Sequence, residues 1–129
     1  MATGFPAATG DVLSAAMYNG LVAYTINTQS GATYTLASTD QYQALVISSN
    51  ASTKTFSIPT NAVTAFAVGS AITILNTGAG LLTIQAVSSG TTTVTSGGAT
   101  SASPTVAQYK AAVCIKTATD AWTVVGAVA

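Results

Sequence analysis

Histidine, arginine and glutamate are absent from this chain of 129 residues, and charged side chains make up only 5% of it. A usual soluble domain carries about 25%. The charges present are Asp11, Asp40 and Asp120 with Lys54, Lys110 and Lys116. Each absence removes a class of function. Nucleic-acid binding needs a track of cations to neutralise phosphates, and three scattered lysines do not make one. A transition-metal site needs clustered His, Cys or carboxylate ligands, so no metal and no cofactor is expected. General acid–base chemistry most often uses His, and then paired carboxylates. A Ser/His/Asp or Cys/His unit cannot be assembled from these residues. A Ser–Lys pair is compatible with the composition, but no spacing marks one. The expectation is a protein with no catalytic residues.

Cysteine is nearly absent too. Cys114 stands alone, so no intramolecular disulfide can form. It sits in AAVCIKT (111–117), whose alternation reads as a strand, and it is read as a small buried hydrophobe. Lys116 falls on the same strand face. MATGFPAATGD at the start has neither a basic stretch nor an apolar run, so no secretory signal is expected there. The longest apolar window, AVTAFAVGSAITIL (62–75), has 14 residues and is interrupted by Thr64, Gly69, Ser70 and Thr73. A membrane-spanning helix needs about 20 mostly apolar residues, so no membrane partner is expected.

What remains is apolar residues, Thr, Ser, Ala and Gly. Hydrophobic residues are 49% of the chain, enough for a packed core. Residues 1–20 read as an arm or short helix, and residues 21–129 as one β domain. Within GDVLSAAMYNGL (10–21), Asp11 or Ser14 can cap a helix and Gly20 can end it. Val12, Leu13, Met17 and Leu21 then share a face, which either closes the core or docks onto a partner. Beyond Leu21 short alternating segments follow: 21–27, 33–38, 43–49, 55–59, 70–76, 81–87, 91–96, 109–119 and 121–128. TGAG (77–80) and Asp120 read as hairpin turns. About eight to nine short antiparallel strands at this spacing predict an all-β sandwich or barrel. The predicted core is Phe56, Ile58, Ile72, Ile74, Leu82, Ile84, Val113, Ile115, Trp122 and Val124. The other strand faces carry Thr and Ser, and lack the charges that usually block edge pairing. That points to faces and edges occupied by other copies or by a larger assembly.

Several segments in order resemble a β-rich module of bacteriophage virion proteins, of the capsid-decoration and tail-fibre type. They are YTL with Asp40 (34–40), TFSIP (55–59), AFAVGSAITILNTGAG (65–80) and AQYKAAVCIKTATDAWTVVG (107–126). GDVLSAAMYN (10–19) is similar to the lead-in of small phage structural proteins. The family often continues after the final Gly with Asp and an apolar residue, where this chain has Gly126-Ala127-Val128. The resemblance implies a non-enzymatic virion protein, made in a host cytoplasm and assembled as a homotrimer. Its partners would be copies of itself and major capsid or tail proteins. A capsid decoration protein fits the short chain. A tail or fibre component touching a host glycan is the alternative, with Tyr18, Tyr24, Tyr34, Tyr42, Tyr109 and Trp122 as the aromatic candidates. Of these, Trp122 is placed in the core and Tyr42 in a polar stretch, STDQYQ (38–43).

Overall fold

In the computed structural model the chain is described over residues 14–15, 26–43 and 45–129. The positions Val12, Leu13, Met17 and Leu21 lie outside the described residues, as does the predicted helix apart from Ser14 and Ala15.

The alternation of the sequence becomes ten strands: β1 (Asn27–Gln29), β2 (Thr33–Thr35), β3 (Leu45–Ser48), β4 (Lys54–Ile58), β5 (Ala71–Asn76), β6 (Leu82–Ala86), β7 (Thr93–Thr95), β8 (Thr105–Val106), β9 (Lys110–Ala118) and β10 (Ala121–Gly126). The helical turn Asp40–Gln43 lies between β2 and β3. The all-β class holds. The strands form a six-stranded sheet, β1-β3-β5-β9-β10-β7, and a four-stranded sheet, β2-β4-β6-β8.

The antiparallel expectation is corrected. β1/β3, β3/β5, β2/β4, β4/β6 and β7/β10 pair in parallel, and only β5/β9, β9/β10 and β6/β8 are antiparallel. The cause is the path of the chain. From β1 to β6 successive strands alternate between the two sheets, so each returns to its own sheet one place along and in the same direction. Parallel neighbours need a crossover, and here the crossover is a strand of the opposite sheet. The first six strands are therefore coiled like a solenoid. The long β9/β10 hairpin, with Asp120 in its turn, then closes the larger sheet. The hairpin predicted at TGAG is absent for the same reason: β5 and β6 belong to different sheets.

Corners 30–32, 49–53 and 77–81 carry the chain from the larger sheet to the smaller, and they are hydrogen-bonded to one another. Ser49 N donates to Gln29 O at 3.0 Å, and Asn50 Nδ2 donates to Ser30 O at 2.9 Å. Thr77 N and Gly78 N both donate to Ser48 O. The glycines of TGAG serve this close approach. A Cβ on Gly78 would lie 1.9 Å from Asn50 O, and one on Gly80 would lie 2.0 Å from Ser52 O. Asn76 fastens the corner from inside. Its Nδ2 donates to Gly80 O and Val106 O, both at 2.9 Å, and its Oδ1 accepts from Gly78 N.

The inner faces of both sheets share one core that includes Phe56, Ile58, Phe66, Ile72, Ile74, Leu82, Ile84, Cys114, Trp122 and Val124. Trp122 packs edge-on against Phe66, with ring centroids 5.3 Å apart. Val113 and Ile115 are corrected: both are half-buried, and Ala112, Cys114 and Lys116 point inward instead. Register decides this, since Cys114 lies opposite both Ile72 and Val124, which are core residues.

Candidate functional site

The charges are the first place to look for chemistry, and the fold turns most of them inward. Asp40, Lys54 and Lys116 are buried and Asp120 is half-buried. Among the described residues only Lys110 presents an exposed charged side chain.

Each inward charge holds a junction. Asp40 begins the helical turn between β2 and β3. Its carboxylate accepts from Tyr34 Oη at 2.6 Å, Asn27 Nδ2 at 2.8 Å and Ala37 N at 2.8 Å. Such hydrogen bonds to an ionised acceptor are stronger than neutral ones and offset the loss of water. Burial, together with the Asp40 carboxylate, pushes the Tyr34 hydroxyl up to about 12. Lys116 donates to Asn61 Oδ1 at 2.6 Å and Phe66 O at 2.7 Å, fixing the loop between β4 and β5 to β9. Asp120 has φ of 53°, a left-handed conformation that Asp tolerates better than most residues. It accepts from Asn61 N at 2.6 Å and Thr92 Oγ1 at 3.1 Å, which ties the β9/β10 turn to two loops. Lys54 donates to Asn50 O at the stacked corners. Burial lowers its pKa from the ordinary lysine value.

Cys114 and Ser48 are among the described residues whose nucleophilic side chains are buried. Cys114 is wholly buried, and burial pushes its thiol up to about 12, which suits the packing role read from the sequence. Ser48 Oγ is buried with no hydrogen-bond partner. Neither lines any of the clefts described next, nor does Lys54. No group of three or more metal-ligating side chains occurs among the described residues, and no helix among them is long and apolar enough to cross a membrane.

Among the described residues three shallow clefts can be compared, two of them beside Val128. One of about 230 Å³ is bordered by Gln85, Ser89, Thr92, Ser101 and Ser103 together with Val87 and Val94. A second, of about 220 Å³, lies between Ser96, Pro104 and Val128. The third, of about 180 Å³, is bordered by Leu81, Thr105, Lys110 and Val128. Beyond Gly126 the chain pairs with the edge of β8. Ala129 and Thr105 exchange backbone hydrogen bonds at 3.0 Å, so that edge is covered.

The aromatic candidates separate clearly. Trp122 is buried. Tyr34 is half-buried against Phe56. The side chains of Tyr18, Tyr24 and Tyr42 lie outside what the structure describes. Tyr109 is 76% exposed and has φ of 61°. That conformation is rare for an aromatic residue, and nothing in the sequence around Tyr109 signals it.

The outward faces of the two sheets differ in chemistry. On the smaller sheet Thr33, Thr55, Thr83 and Thr105 stand in register across all four strands, with Thr35, Ser57 and Gln85 in the next row. On the larger sheet the outward rows are Thr28–Ile47–Leu75–Ala111, Leu45–Thr73–Val113–Val125 and Ala71–Ile115–Thr123–Thr95. One face is hydroxylated and the other is mainly aliphatic, and neither holds a charge.

Comparison with known proteins found no matching family model, curated protein or solved structure.

Proposed function

We propose that this chain is a non-enzymatic structural protein of a bacteriophage virion, a decoration protein on the outer capsid surface that assembles as a homotrimer. The observation that carries the reading is the placement of charge. Three of the charged side chains are buried as struts, and among the described residues only Lys110 is an exposed charge, with Asp120 half-buried. Proteins that live free in solution keep exposed charge and limit apolar patches, because charge prevents association. A neutral outside with an aliphatic sheet face suits a protein whose faces are occupied in an assembly. The order of segments similar to the phage virion module supports the same reading.

In this account residues 21–129 form a sandwich-like body and residues 1–20 an arm carrying Val12, Leu13 and Met17, with Leu21 where the two join. The arm or a β face of each copy binds neighbouring capsid subunits. Several weak contacts made at once supply avidity, and lasting interfaces of this kind are relatively apolar. The test is co-sedimentation of the purified protein with particles that lack it. Saturable binding at a fixed number of copies per capsid is expected, and absence of binding to capsids would contradict the reading.

A tail or fibre component is the second reading, favoured by Tyr109. Its exposed ring, held in a left-handed backbone next to Lys110, is the kind of surface a sugar ring stacks on. Binding of host glycans that Tyr109→Ala abolishes, with no binding to capsids, would favour it.

A further inference from the structure

We infer that the outward face of the six-stranded sheet is the surface through which copies of this chain meet. The inference rests on the assembly reading above and says which surface serves it. Leu45, Ile47, Leu75, Val113, Ile115 and Val125 stand on that face in adjacent strands, with Ala and Thr between them. Val125 is 45% exposed. The larger aliphatic residues of β9 are thus turned outward, while Ala112 and Cys114 fill the core. The opposite sheet shows what a water-facing surface looks like in this molecule, with Thr, Ser and Gln at every outward register position quoted above.

The occupant is another copy rather than a foreign partner for a reason of symmetry. In a two-fold contact between identical surfaces a charge near the symmetry axis meets its like. This face carries none, and its bulky positions lie beside small ones that can receive them. Size agrees. Six strands of three to nine residues, at about 3.3 Å per residue and about 4.8 Å spacing, give roughly 500 Å² of face per copy. Two such faces bury close to the roughly 1,000 Å² that a specific interface needs. Two copies would lay their faces flat on each other, and three would enclose a common apolar centre.

The test compares sedimentation masses of the full chain and three variants, with Trp122 fluorescence reporting the fold. Val113→Asp and the more exposed Val125→Asp place a carboxylate on the aliphatic face, and Thr83→Asp places one on the hydroxylated face. The expected result is an oligomeric parent, folded monomers for Val113→Asp and Val125→Asp, and an unchanged oligomer for Thr83→Asp. Should Val113→Asp fail to fold, Val125→Asp gives the answer. An oligomer that survives Val125→Asp, or that Thr83→Asp dissociates, overturns the inference while leaving the assembly reading intact. A monomeric parent also overturns the inference, including the case in which the arm covers the face, and capsid co-sedimentation then decides the assembly reading separately.

Discussion

At the scale of single residues, burial accounts for most of the behaviour. Trp122 is 2% exposed and in edge contact with Phe66. Trp122→Ala should therefore cost about 3–5 kcal/mol, and unchanged thermal stability would remove it from the core. The titrating groups make a prediction about alkali. Cys114 and Tyr34 keep their protons in the fold up to about 12, against ordinary values of 9.0 and 10.0. Their contribution is fully present below those ordinary values and is lost as pH rises toward 12, because the unfolded chain releases protons that the fold retains. Each such group tilts stability by about 1.4 kcal/mol per pH unit at most within its window. Lys54 acts in the opposite sense. Its lowered pKa means that the folded state gains as pH rises toward 10.5. Denaturant unfolding followed by Trp122 emission should therefore show stability falling above pH 9. Cys114→Ala should flatten that fall from its start, and Tyr34→Phe only above pH 10. The sequence made Trp122 and Cys114 legible because each lies in an alternating run. It did not reveal that Lys54 and Lys116 are buried, since a lysine in a strand ordinarily faces water and their partners, Asn50, Asn61 and Phe66, come from other parts of the chain.

At the scale of elements, strand positions were legible and strand partners were not. Seven of the nine predicted segments contain a strand outright, 55–59 begins one residue into β4 and 21–27 reaches β1 only at Asn27, while β8 and the helical turn at Asp40 were missed. Both missed elements are too short to set up a period. TGAG between two apolar runs carries the signal of a hairpin, yet it is a corner between sheets. The local pattern of a corner and of a hairpin is the same; the difference lies in where Gly78 and Gly80 press, against Asn50 and Ser52 of the preceding coil. The coils themselves are unequal in length, so no repeat shows in the sequence. The β9 face was misread because both its faces are apolar, and the bulkier residues turned out to face outward. The corner contact is testable. Gly80→Ala drives a methyl group into the Ser52 carbonyl, a backbone atom that cannot step aside, and should cost about 1–3 kcal/mol or more. Gly90→Ala has open space around it and serves as the neutral comparison in the same melting experiment.

At the scale of the molecule, the separation of surfaces is what the proposed function rests on. Charges are spent inside as struts at Asp40, Lys54 and Lys116, a hydroxylated sheet faces one way, and an aliphatic sheet faces the other. The sequence foretold uncharged strand faces. It did not foretell that the two faces differ, because that depends on which strands share a sheet. The measurement that bears most directly on this account is the native mass of the purified full chain, by light scattering after size exclusion. The account predicts a stable species of three times the chain mass of 12.7 kDa that persists on dilution. A well-behaved monomer at 12.7 kDa would contradict it.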